Sequence, residues 1–210
     1  MLGEPTDLKL VVGNKGGFDY NIKVQGEAVH SSKPHLGKNA IYAASELSLF
    51  VEKLYKRYKK NNITMNVGKI NGGKQSNIVA ESCELTFDLR LFSKKIKEKI
   101  INKINNKICN IQRKRKLQIE LKEAIAIPPF EYKKSNLIDK IKNQISLPIE
   151  VVSYCTEAGF YQTYGANILI FGCGDISVAH SENEHVEIDK LVEFNKYFID
   201  ILDTFINKKG

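Results

Sequence analysis

The sequence predicts a mixed α/β chain in which a ferredoxin-like βαββαβ unit is inserted into a second α/β layer. Three observations carry this. Four short stretches alternate apolar with polar residues, as half-buried strands do. Two longer stretches between them repeat apolar residues at three- and four-residue steps, as amphipathic helices do. After Pro128-Pro129 the rhythm changes to strand, helix, strand, helix, the order of an α/β sheet.

In the inserted unit, Phe18, Tyr20, Ile22 and Val24 form the first predicted strand, which ends at Gly26. Ala40, Ala44, Leu47, Val51, Leu54 and Tyr58 line one face of the first helix. Ile63, Met65 and Val67 begin the second strand, and Gly72-Gly73 provides a turn into the third, marked by Leu85, Phe87, Leu89 and Leu91. Ser93 stands at the N-cap position of a helix striped by Ile96, Ile100, Ile104 and Ile108. Leu117, Ile119 and Leu121 make the fourth strand, so the unit spans about residues 17 to 123. Beyond it, the sequence predicts a polar helix near Asn136 to Gln144 and a strand at Ile149 to Ser153. A short helix near Ala158 to Tyr164, a buried strand at Asn167 to Phe171 and a terminal helix follow. In that helix Ile188, Leu191, Val192, Phe198, Ile201, Leu202 and Phe205 share a stripe. An α/β sheet normally needs more strands than these, so this layer is expected to belong to a larger enzyme.

Apolar residues make up 42% of the 210 residues and charged residues 27%, a globular composition. No apolar run reaches membrane-spanning length and the start turns polar at once, which argues for the cytoplasm and against a membrane partner. The net charge of +8 invites a nucleic-acid reading. Its lysines, however, cluster at 53–60 and 94–116 and alternate with apolar residues at helical spacing, the pattern of a solvated helix face rather than a nucleic-acid surface. Cys83, Cys109, Cys155 and Cys173 form no Cys-x-x-Cys pair and read as reduced thiols.

Two constellations carry chemistry. His180 lies in Ala-His-x-x-x-Glu after the apolar run 168–171, and neutral imidazole is a preferred zinc ligand. On its own it reads as readily as a surface histidine. Far upstream, Gly3-Glu4-Pro5-Thr6 precedes Gly26-Glu27-Ala28-Val29-His30-Ser31-Ser32.

The stretches GEPT at 3–6, HSSKPHLGKNAI at 30–41, NVGKINGGKQSNIV at 66–79, CELTFDLR at 83–90, VVSYCTEAGF at 151–160 and GCGDISVAHSENE at 172–184 run the length of the chain in one order. In that order they resemble the C-terminal part of the dinuclear zinc hydrolases, the family of acetylornithine deacetylase, succinyl-diaminopimelate desuccinylase, aminoacylase and glutamate carboxypeptidases. The resemblance implies three segments. Residues 1–16 belong to the catalytic domain, 17–123 form a ferredoxin-like dimerisation (lid) domain, and 124–210 are the C-terminal part of the catalytic domain.

It also implies roles. Glu4 matches a ligand of one zinc and His180 a ligand of the other, with two metals per complete active site and cobalt or manganese as alternatives. His30 matches a histidine that crosses to the partner subunit's active site and polarises the scissile carbonyl. Asn77 and Arg90 match substrate contacts, Arg90 suiting a substrate carboxylate through its planar fork. Thr156 and Glu157 fall in a Thr-Glu-Ala segment typical of the acetylornithine branch, and Gly172 and Gly174 let backbone approach the site. His35 and His185 have no matching role and are expected at the surface. The implied activity is hydrolysis of an N-acyl amino acid, N-acetylornithine to ornithine and acetate, with a homodimer through the inserted domain. The first metal-binding histidine, the bridging aspartate and the base glutamate of the family have no counterpart here, so activity is expected only with an N-terminal half, which a separate chain can supply. The alternatives are a desuccinylase or related acylase, or a non-catalytic dimerising remnant.

Overall fold

The computed structural model describes residues 1–131, 138–141 and 145–206, with side chains through residue 203. The chain forms two compact units, one of residues 16–127 and one of residues 1–15 with 128–210.

The first unit has six elements: β2 (Gly16–Gln25), α1 (Ala40–Tyr58), β3 (Thr64–Gly72), β4 (Ser82–Leu91), α2 (Lys94–Arg115) and β5 (Gln118–Ile127). The sheet is antiparallel in the order β3-β4-β2-β5, the ferredoxin-like arrangement that the alternation predicted. Alternate residues of β2 and β4, among them Tyr20, Ile22, Leu85, Phe87 and Leu89, join Leu47, Val51 and Leu54 of α1 and Ile100, Ile104 and Ile108 of α2 in one core. The opposite face carries Asp19, Asn21, Lys23, Glu84, Thr86 and Asp88.

Details depart from the pattern where the backbone does. A register shift between Val67 and Lys69 interrupts the alternation of β3. A second shift opposite Asp19 and Tyr20 lets β5 run on to Ile127, four residues past the predicted end, and turns Glu123 toward Tyr20, whose hydroxyl donates to it. Lys97 also pairs with Glu123, at 2.6 Å, and lies 3.8 Å from the Phe18 ring centre. Ser93 occupies the N-cap of α2 but its side chain makes no cap bond. Asn39, which the apolar pattern does not single out, caps α1 by accepting from the N–H groups of Ile41 and Tyr42.

In the second unit, β1 (Leu10–Asn14) pairs in parallel with β6 (Ile149–Val152). The sequence reading contains no strand at Leu10–Asn14. All five residues of β1 are buried, so the segment reads as an apolar run without alternation. Leu10 and Val12 pack with Leu169, Phe171 and the terminal helix α4 (Ile188–Ile206) on one side. Val11 packs with Phe130, Ile170 and the short helix α3 (Ala158–Thr163) on the other.

The predicted strand at Asn167–Phe171 is corrected. Ile170 makes isolated bridges to Leu2 and Val11, and Leu169, Ile170 and Phe171 are buried without joining a ladder. The stripe of α4 is corrected too. Ile201, Phe194 and Tyr197 meet the core, whereas Ile188, Leu191, Val192 and Leu202 are exposed, and Phe205 lies outside the described side chains. Of the predicted helix near 136–144, residues 138–141 are helical and the rest lies outside the described residues.

Candidate functional site

Glu4 is held in the second unit by one knot of contacts to residues 172–174, six residues before His180. Thr6 is buried, and its hydroxyl donates to the Lys9 carbonyl at 2.8 Å while accepting from Gly172 N–H at 3.0 Å. Asp7 N–H reaches the Gly174 carbonyl at 2.8 Å and Leu8 N–H the Gly172 carbonyl at 2.9 Å. A β-carbon on Gly172 would stand 2.1 Å from the Glu4 carbonyl oxygen, so only glycine permits this approach. The two distant motifs, GEPT and GCG, are therefore one structural element.

The Glu4 carboxyl feels the charges of Glu157 and His180. Burial pushes the Glu4 carboxyl above its ordinary range, the Glu157 carboxylate adds to the push and His180 opposes it. Tyr154 belongs to the same neighbourhood. Its hydroxyl reaches the Pro5 carbonyl at 3.5 Å, and burial with the charges of Glu4 and Glu150 holds its phenol above the usual range. Tyr154 has no role in the sequence reading, although it lies inside the VVSYCTEAGF stretch. A cavity of about 350 Å³ beside it is lined by Pro5, Thr6, Glu150, Tyr154 and Asp175.

Thr156 is buried. Its hydroxyl donates to Asn14 Oδ1 at 3.1 Å and accepts from Ala158 N–H at 3.1 Å. Those two bonds tie the start of α3 to β1, a structural task the sequence did not foreshadow. Glu157 is exposed at the N-cap of α3.

In the inserted unit, His30 and Asn77 come together. His30 bridges Ile78, and Ser31 N–H donates to the Asn77 carbonyl at 2.9 Å. Nδ1 of His30 accepts from Ser32 N–H at 3.2 Å and lies 2.8 Å from Ser32 Oγ. An accepting Nδ1 leaves the proton of the neutral ring on Nε2.

Arg90 is elsewhere. Gln25 and Ser82 pair at the end of the sheet nearest His30, and Gly17 and Arg90 pair at the other end. Eight residues of strand, roughly 26 Å, separate the two ends. Asp88 holds Arg90 through Nε, with both carboxylate oxygens at 3.2 Å, which leaves the terminal N–H groups as the fork. His35 and His185 are exposed, as expected.

Glu4 and His180 offer the oxygen and nitrogen donors that zinc takes. Among the described residues, however, no group of three histidine, cysteine or acidic side chains converges as a metal site. The donors thus fit zinc in kind, and the set they form is partial.

Comparison with known proteins agrees with this frame. The family of peptidase dimerisation domains matches residues 12–116. The acetylornithine deacetylases of Buchnera aphidicola from Schizaphis graminum and from Acyrthosiphon pisum are 32% and 34% identical over 98% and 99% of the chain. That of Shigella sonnei is 29% identical over 98%. The chain spans 56% of the length of each of these three relatives. The crystal structure of aminopeptidase PepT from Bacillus cereus superposes with a TM-score of 0.82 at 17% identity, over 96% of this chain and 55% of that one. A tripeptidase from Staphylococcus aureus gives 0.74 at 20% identity, over 94% and 54%. At such identities the likeness is one of fold.

Proposed function

The chain belongs to the M20 peptidase family through its dimerisation domain, and on that premise we propose that it is the C-terminal portion of a zinc-dependent amide hydrolase that deacetylates N-acetylornithine. The observation that carries the proposal is that the GEPT segment bearing Glu4 is locked against the GCG segment that leads to His180 in one unit, with the Glu4 carboxyl raised by burial and by Glu157. A carboxyl in that state gains from a cation placed beside it, and the relatives that match nearly the whole chain are acetylornithine deacetylases.

Glu4 and His180 would hold zinc, which when bound supplies Lewis-acid polarisation of the amide. The chain's own contribution is to position donors around the substrate. With Nδ1 taken by Ser32, His30 has Nε2 as the ring nitrogen suited to donate to the oxygen that gains charge as the amide is attacked. The terminal N–H pair of Arg90 is suited to a substrate carboxylate, because Asp88 occupies Nε and fixes the plane of the guanidinium. His30 and Arg90 stand at opposite ends of one sheet, farther apart than both side chains reach. We assign them to different active sites of a homodimer, with His30 reaching the partner's. Four widely spaced cysteines with no Cys-x-x-Cys pair suit a reducing compartment such as the cytoplasm.

The partial donor set makes metal binding the test. Zinc titrated into the 210-residue chain should bind weakly, since two protein ligands leave most of the coordination shell to water. Adding the N-terminal half of an acetylornithine deacetylase should tighten it, and His180→Ala or Glu4→Ala should undo the gain. Equal zinc affinity with and without that half would reject the reading.

A further inference from the structure

His180 has a backbone torsion φ of 61°, in the left-handed region that a side-chain-bearing residue rarely occupies. Among the described residues, Asp7, Leu8, Asn62 and Lys116 share this feature, and each has an evident backbone support. Asn62 and Lys116 terminate helical turns, and their N–H groups donate to Lys59 and Gln112. Asp7 and Leu8 donate to the carbonyls of Gly174 and Gly172. His180 follows no helix. Turns flank it, with Ala179 N–H on the Ile176 carbonyl at 3.3 Å, Ser181 N–H on the Val178 carbonyl at 3.3 Å and Glu184 N–H on the Ser181 carbonyl at 3.2 Å. Its own N–H donates to a side chain, Glu184 Oε2, at 2.9 Å.

We propose that Glu184 is the positioning residue for His180, closing a side-chain-to-backbone loop over residues 180–184 that holds the imidazole-bearing backbone in its left-handed state. The proposal rests on the reading of His180 as a metal ligand and deepens it, because ligand orientation is set by the groups that hold the ligand. It gives a physical reason for the glutamate in Ala-His-x-x-x-Glu: the acceptor must come from the residue four positions on and must have the reach of Glu. Glu184→Asp leaves the acceptor one carbon short. Glu184→Gln keeps both the reach and an accepting oxygen, so it separates the hydrogen bond from the charge.

Amide hydrogen exchange measured by NMR on the 210-residue chain tests this directly. The His180 amide should exchange about tenfold faster in Glu184→Ala and Glu184→Asp than in the parent chain, and Glu184→Gln should keep the parent rate, a tenfold change being what loss of one such hydrogen bond produces. In the presence of the N-terminal half, zinc affinity should fall roughly 10–100-fold in Glu184→Ala and be restored in Glu184→Gln. An unchanged His180 exchange rate in Glu184→Ala would overturn the proposal by itself, as would a Glu184→Asp variant that behaves like the parent while Glu184→Gln does not. Zinc affinity untouched by His180→Ala would instead remove the ligand reading on which the proposal stands.

Discussion

Replacing Gly172 by Ala tests the joint that holds Glu4 in place. The new methyl would sit 2.1 Å from the Glu4 carbonyl oxygen and 3.0 Å from its carbonyl carbon, both of them backbone atoms that no rotamer change can move aside. Ordinary contact begins near 3.4 Å, so the segment around Glu4 must retreat by about an ångström or the loop carrying Gly172 must open. Either movement strains the paired bonds between Thr6 and Gly172, at 3.0 and 3.1 Å, and the bond from Leu8 N–H to the Gly172 carbonyl. Overpacking of this kind costs about 1–3 kcal/mol. For a unit of this size each kcal/mol lowers the melting midpoint by roughly 4–8 °C. Gly3→Ala, one residue before Glu4, is the control, because nothing lies within 4 Å of its added carbon. Thermal unfolding followed by circular dichroism should show a loss for Gly172→Ala and almost none for Gly3→Ala. Equal midpoints for the two variants would refute the claim that GEPT and GCG form one close-packed element.

The helix caps give a second contrast. Asn39→Ala should cost about 1 kcal/mol in urea unfolding, because its side chain accepts from two N–H groups of α1. Ser93→Ala should be nearly neutral, because Ser93 makes no side-chain cap bond to α2. A third prediction concerns acid. Although desolvation raises it, the Glu123 carboxyl is held below its ordinary value of 4.5 by its hydrogen bonds from Lys97 and Tyr20. Its stabilising contribution is therefore complete above that value and drains away as pH falls through the lowered one. Urea midpoints of the parent and Glu123→Gln should differ at pH 7 and draw together as pH falls below 4.5, and a constant difference would contradict this. In the core, Phe87→Ala should destabilise the inserted unit by about 3–5 kcal/mol, since Phe87 is fully buried against Tyr20. A loss under 1 kcal/mol would show that the core collapses around the gap.

The inserted unit was legible because its strands bury one face only. Alternation at Phe18 to Val24 and Leu85 to Leu91 records that directly, and the isoleucine stripe of α2 records its single buried side. The second unit was less legible for the opposite reason. β1 is buried on both faces and leaves no period. Residues 169–171 are buried without a ladder, and the apolar face of α4 is wider than the part that meets the core. Site residues show the same division. The stretches that flagged Glu4, Thr156 and His180 also contain Thr6, Tyr154 and Glu184, whose tasks depend on partners far along the chain or on one backbone torsion. Residue type and spacing cannot encode either. The tie of Thr156 to Asn14, and the separation of Arg90 from His30, likewise became visible only once register and pairing were known.

Turnover of N-acetylornithine by the 210-residue chain, assayed with zinc in the absence and presence of the N-terminal half of an acetylornithine deacetylase, tests the central claim most directly. The account predicts no appreciable ornithine release by the chain alone, release when the half is added, and loss of that release on replacing Glu4 or His180 by Ala. Rapid zinc-dependent release by the chain alone, or full activity of the mixture without His180, would contradict it.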